Sequence, residues 1–225
     1  MIGIVCAMES EAQAVLDHID VETTFTAFGK KFYTGRILGK KVVLAVSVVG
    51  KVNAAMATQY LLDTYKEIGV IVNLGVCGGV KGKVELGKIY LVSAAAQYDF
   101  DTTEVDDMPH GFLYGLEMVY VDLTSPYTKK LSALFPSARL VTGDRFTASE
   151  EVSLYIEKHF GAELREMEGG AIAQVCAFHK KHCVMLKGVS DFVGAESVHL
   201  FGKYCKIALD EFGRRMTAIF SALDG

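Results

Sequence analysis

The chain has 225 residues, 51% of them hydrophobic, and a formal charge of −4 at pH 7. That length suits one domain spanning residues 1–225, and the apolar content supports a large buried core rather than disorder. A weakly acidic chain with scattered basic residues lacks the cationic field that gathers nucleic-acid phosphates, and no apolar run approaches the ~18 residues of a membrane span.

The predicted elements follow in chain order. The run "IGIV" (2–5) reads as a buried strand, and "AMESEA" (7–12) sets Glu9 and Glu11 just past its end. Those acids suit a helix N-terminus through its dipole, or supply a carboxylate base beside a water. Residues 22–46 read as adjacent strands joined by Gly-Lys turns, with the last continuing through "VVLAVSVV" (42–49). After Gly50, helical spacing puts Val52, Ala55, Met56, Tyr60 and Leu61 on one face. The strand "VIVNL" (70–74) leads into "NLGVCGGV" (73–80), read as a loop in which Gly75, Gly78 and Gly79 allow a tight turn or close approach to a ligand.

"GKVELGKI" (82–89) resembles a phosphate loop but places Ile89 where Ser or Thr must reach magnesium, and a strand follows instead of a helix. Further strands are expected at 89–95, 138–141 and 183–190. "REMEGGAIAQV" (165–175) sets Glu166 and Glu168 ahead of an apolar helix. "CAFHKKHC" (176–183) has two His and two Cys, but the spacing reads as a helix end followed by a strand, without a metal site. The five cysteines are dispersed through apolar segments and read as reduced thiols. "KGVSDFVG" (187–194) ends a strand on Ser190 and Asp191, where Asp191 suits either a helix cap or an acid. From Leu200, apolar residues recur every three to four positions to Leu223. Strands alternating with helices, plus an antiparallel patch, predict an α/β three-layer sandwich around a mixed β-sheet, with ligands at strand carboxyl ends. Three acids at such junctions, Glu11, Glu168 and Asp191, suit acid/base cleavage of a glycosidic bond.

The segments "GIVCAMESEA", "VVGKVNAA", "VNLGVCGGV", "TGDRF", "EMEGGAIAQVC" and "GVSD" together resemble the 5′-methylthioadenosine/S-adenosylhomocysteine nucleosidases of the purine nucleoside phosphorylase superfamily, from about residue 2 to Phe201. The resemblance implies a nucleoside phosphorylase-like fold and a cytoplasmic homodimer needing no cofactor or metal, whose partner is a small nucleoside. It implies hydrolysis of an adenine thionucleoside to adenine and a 5-thioribose. Carried over, Glu11 activates water and Asp191, with Ser190 beside it, protonates the purine N7. Phe146 and the backbone of Thr147 line the base site. Met167 and Glu168 hold the ribose, and Met8, Val49 and Phe201 border the 5′-substituent. Glu168, near the positive end of a helix, is expected to be ionised; Glu166 is left without an assigned role.

Three departures from the family pattern stand out. Val76 takes the place of a Ser, and Lys187 that of an Arg near the catalytic water, losing the planar fork. The segment that builds the 5′ pocket keeps Asp99 and Asp101 but turns acidic at Glu104, Asp106 and Asp107. Alternatives are a futalosine-type hydrolase, another purine nucleoside hydrolase or phosphorylase, and a non-catalytic nucleoside-binding protein.

Overall fold

The computed structural model describes residues 1–146, 149–192 and 197–224. Strands β1 (Ile2–Cys6), β2 (Asp20–Ala27), β3 (Lys30–Ile37), β4 (Lys40–Val46) and β5 (Val70–Gly79) come first, with helices α1 (Glu9–Leu16) and α2 (Lys51–Thr64) among them. Then follow β6 (Ile89–Gln97), β7 (Val121–Asp122), α3 (Pro126–Leu131), β8 (Ser137–Thr142), α4 (Glu150–Phe160), β9 (Leu164–Glu166), α5 (Gly169–Phe178), β10 (His182–Phe192) and α6 (Ser197–Ala222).

The strands form one mixed sheet, with β4, β1, β5 and β10 parallel at its centre. Because β10 pairs with β5 on one side and β6 on the other, while β6, β8, β9 and β5 pair in turn, five strands close on themselves. The predicted sandwich is present: α1 and α6 cover one face and α2 and α5 the other. Ile4, Val15, Phe212, Met216 and Ile219 pack on the first side. Ala54, Leu61, Ile71, Ile172 and Cys176 pack on the second. Near-continuous apolar strands are what burial on both faces requires. The α6 stripe is as expected, with Ala208, Phe212, Met216, Ile219 and Leu223 buried. Among the described residues, no helix is long and apolar enough to cross a membrane.

Four expectations change. The 73–80 segment is the continuation of β5 to Gly79 instead of a loop. Its glycines are needed because a Cβ on Gly75 would lie 2.6 Å from Glu11 Oε1, and one on Gly79 2.3 Å from Val84 Cγ2. The hairpin turns are Phe28-Gly29 and Leu38-Gly39, all four at positive φ, and the lysines open the next strands. In α2 the buried face is Ala54, Ala57, Thr58, Leu61 and Leu62, leaving Val52 69% and Met56 44% exposed. That helix carries apolar residues all round, so periodicity alone could not choose the stripe, and the sheet took the smaller side chains. Asp191 lies inside β10 rather than capping a helix. A register shift between Val189 and Asp191 bulges the strand there, and such bulges re-aim side chains.

Candidate active site

The carboxyl ends of β1, β5 and β10 surround a cavity of about 400 Å³. Of the residues singled out in the sequence, Met8, Glu11, Val49, Val76, Phe146, Met167, Glu168, Ser190, Asp191 and Phe201 line it. Lys187 is buried just beneath, 2% exposed, and Thr147 lies outside the described residues. Arg145, Glu166 and Arg165 also line the cavity and were not anticipated there.

Glu11 sits in the first turn of α1, whose free backbone donors attract a carboxylate. Its Oε2 accepts the N–H groups of Ala7 (2.9 Å) and Met8 (3.0 Å), and its Oε1 accepts that of Val76 (2.8 Å). Burial pushes its pKa up, while Lys187 and these three donors oppose the rise. The result is an immobile, desolvated carboxylate, suited to take a proton from water. Val76 enters through its backbone, so the loss of the family's Ser hydroxyl leaves this contact in place.

Glu166, left without a role by the sequence, closes β9 and organises the neighbouring helix. Its Oε2 accepts from the backbone of Glu168 (3.0 Å) and Gly169 (2.7 Å) and from Lys187 Nζ (3.0 Å). Its Oε1 accepts the Thr142 hydroxyl, whose oxygen in turn accepts the N–H of Gly170 (2.7 Å). The positive end of α5 is therefore spent on Glu166, and not on Glu168 as its position suggested. Glu168 instead receives one N–H, from Gly50 (2.7 Å). Burial, then repulsion from Glu166, lifts its pKa to about 8 against the pull of Lys187. Glu168 therefore holds its proton more readily than its place beside a helix end suggested. Burial alone would lower Lys187, but Glu166, Glu168 and Glu11 together raise it, so its ammonium stays charged.

At the end of β10 the Ser190 hydroxyl donates to Asp191 Oδ1 (2.7 Å) and lies 3.1 Å from the Cys77 carbonyl. Burial raises the Asp191 pKa, and Ser190 and Arg165 oppose it. A carboxyl of this kind holds a proton more readily than an exposed one, which is what a donor needs. Phe146 and Phe201 meet edge to face at the mouth, 6.1 Å between ring centres. The acidic segment does not enter the cavity wall. Asp99 accepts from Lys51 Nζ (2.6 Å) and from the Asp144 backbone (2.9 Å), and Asp144 accepts the Lys51 N–H (2.8 Å). Together they fix the start of α2 beside Gly50. Asp106 accepts from Thr102, Met108 and Tyr114 within its own loop. Among the described residues no group of three or more His, Cys, Asp or Glu is arranged to hold a metal ion.

Two measurements test this electrostatic layout. Lys187→Met strands Glu166 without its counter-ion and is expected to cost about 3–5 kcal/mol in chemical denaturation; a loss below 1 kcal/mol, roughly the worth of a surface pair, would show that the pair contributes little. Folded Glu168 keeps its proton to about pH 8, whereas an unfolded Glu loses it at roughly pH 4.3. Its contribution to stability is therefore complete below the lower value and lost as pH rises through the upper one. Denaturation midpoints should fall from pH 5 to pH 9 in the wild type and fall less in Glu168→Gln. Parallel slopes in the two proteins would contradict the raised pKa.

The phosphorylase superfamily model matches residues 1–222. The 5′-methylthioadenosine/S-adenosylhomocysteine nucleosidases of Colwellia psychrerythraea and Bacillus cereus (strain G9842) are 32% and 31% identical to the chain. They cover 92% and 90% of it and 89% and 90% of their own lengths. The structure of the Colwellia psychrerythraea nucleosidase in complex with adenine matches with a TM-score of 0.88 at 29% identity, over 99% of this chain and 95% of that one. In fold, the Helicobacter pylori nucleosidase matches with a TM-score of 0.92 at 21% identity, over 99% of this chain and 98% of that one. The sequence-wide match and the carboxylate-lined cavity agree: this chain belongs to the 5′-methylthioadenosine/S-adenosylhomocysteine nucleosidase family of the phosphorylase superfamily, enzymes that hydrolyse N-glycosidic bonds.

Proposed function

We propose that the protein hydrolyses 5′-methylthioadenosine and S-adenosylhomocysteine, releasing adenine and a 5-thioribose product. The observation that carries this is the convergence of three buried acids, Glu11, Glu168 and Asp191, on one cavity. Glu11 takes a proton as water oxygen attacks C1′. The C1′–N9 bond breaks, its electron pair stays with the purine, and Asp191 delivers a proton to N7. Nearby carboxylates favour the oxocarbenium-like transition state. Glu168 holds the ribose hydroxyls and Met167 covers the sugar. Phe146 and the Thr147 backbone hold adenine, the base bound to the Colwellia psychrerythraea relative. Met8, Val49 and Phe201 border the 5′-substituent. Lys187 acts from beneath, holding Glu166 and attracting Glu11 and Glu168.

Hydrolysis is favoured over phosphorolysis by the charge at the attacking side. Glu11 and Glu166 repel a phosphate, and the Lys187 ammonium is already paired with Glu166. Base release should therefore proceed from both substrates in phosphate-free buffer and be unaffected by added phosphate. A requirement for phosphate would overturn hydrolysis, and failure to cleave any adenine nucleoside would overturn the substrate class. Asp191→Asn should lower kcat by roughly 10²–10⁴-fold with the fold retained. Turnover near wild type would remove Asp191 from the mechanism.

The protein is further proposed to be a homodimer through the exposed side of α2. Val52, Met56 and Val49 lie exposed there, and Phe28 (67% exposed) stands edge to face on Tyr60 of the same helix. A contiguous apolar face of this kind marks an interaction surface, and Val49 also lines the cavity, so a partner would border its mouth. Val52→Glu should shift the mass measured by light scattering from dimer to monomer and weaken substrate binding. A wild-type monomer at micromolar concentration would contradict the assignment.

A further inference from the structure

At the Asp191 end of the cavity stands a cation whose place is set by the sheet. Gly78 of β5 is in register with Asp191 of β10 on one side and with Arg165 of β9 on the other. Residues paired across strands carry their side chains on the same face. Gly78 has none, so no side chain stands between the backbones of Arg165 and Asp191, two strand spacings or roughly 10 Å apart, and both residues line the same cavity. Burial lowers the Arg165 pKa, which Tyr98 and then Asp191 oppose, and burial raises that of Asp191, which Ser190 and then Arg165 oppose. Arg165 is only 9% exposed and lines the cavity with Asp191, so it belongs to the wall and not to the solvent. Arg145, exposed, stands at the same end.

The chemistry of this corner differs from that of a carboxylate alone. A 6-aminopurine offers an N–H donor at C6 and an acceptor at N7, and Asp191 can answer both by accepting from one and donating to the other. A 6-oxopurine offers acceptors at both positions, and a carboxylate facing the C6 oxygen repels it. Guanidinium carries donors only, in a planar fork, and is the commonest side-chain partner of a purine O6/N7 edge. We propose that Arg165 extends the base specificity of this cavity to 6-oxopurine (hypoxanthine-type) 5′-substituted nucleosides, donating to O6 while Asp191 serves N7. The proposal rests on reading the cavity as an N-glycosidase site. The reaction is the same hydrolysis: water oxygen bonds to C1′, C1′–N9 breaks, Glu11 receives the water proton, and N7 gains one from Asp191.

The test compares kcat/KM for 5′-methylthioinosine and 5′-methylthioadenosine, which differ in the C6 substituent and the N1 proton that accompanies it, in the wild type, Arg165→Met and Arg165→Lys. The wild type is expected to cleave both. Arg165→Met should lower the ratio of 6-oxo to 6-amino kcat/KM by about 10- to 100-fold, the worth of one hydrogen bond from a charged donor. Arg165→Lys, which keeps charge without the fork, should lose less of that ratio. A wild type that cleaves the 6-amino substrate and leaves the 6-oxo one intact overturns the proposal. So does an equal loss on both substrates in Arg165→Met, which would make Arg165 a structural partner of Asp191. Should Arg165→Met fail to fold, the wild-type comparison and the ratio in Arg165→Lys decide in the same sense. Cleavage of neither substrate by the wild type would instead overturn the N-glycosidase reading, and this proposal with it.

Discussion

The buried pair of Lys187 with Glu166 governs the arrangement around it. One ammonium is enclosed with three carboxyl groups, and none of the four is more than 8% exposed. Such a cluster is costly unless every charge is matched by hydrogen bonds. Glu166 meets that demand by taking two backbone donors from the entry to α5 along with the lysine. Strand β9, strand β10 and helix α5 are thereby locked to one another at a single side chain. The surplus negative charge is then distributed unequally. Burial raises the pKa of both Glu11 and Glu168; three backbone donors and Lys187 oppose it at Glu11, while at Glu168 repulsion from Glu166 adds to the rise and one backbone donor and Lys187 oppose it.

The glycines of β5 serve the same end by a different route. Gly75 gives way to the Glu11 carboxylate, Gly78 pairs with both Arg165 and Asp191, and Gly79 accommodates Val84. A strand with side chains at these positions could not bring α1 and β9 this close to the sheet's end. The site is therefore carved from the sheet itself rather than carried on loops above it, which favours precise placement of the reacting groups.

Much of this was legible in the sequence because it rests on local pattern. Apolar runs marked the strands, the stripe from Leu200 marked α6, and Glu11, Glu168 and Asp191 stood out as acids where polar groups are costly. What escaped depends on pairing between distant segments. Glu166 looks like a surplus charge until Lys187, Thr142 and the α5 backbone are brought to it. Arg165 reads as an ordinary strand residue until register puts it across Gly78 from Asp191. The glycine run in "NLGVCGGV" carries a turn signal that tertiary close approach overrides, and the face of α2 was ambiguous because apolar residues encircle it. Periodicity reports how a segment can pack and leaves the choice of neighbour to the rest of the chain.

The closure of five strands through the double pairing of β10 has a consequence for solubility. A sheet of this size would ordinarily expose two long rims of unpaired backbone groups, each a template for adding strands from another molecule. Here one end of the sheet is joined back to its middle, which leaves β2 as the long rim. That strand is largely solvent-exposed, carries Asp20 and Glu22, and its pairing with β3 is broken by a register shift between Val21 and Thr23. Charge and irregularity there resist further strand addition. The topology that shapes the cavity also protects a β-rich chain from aggregation.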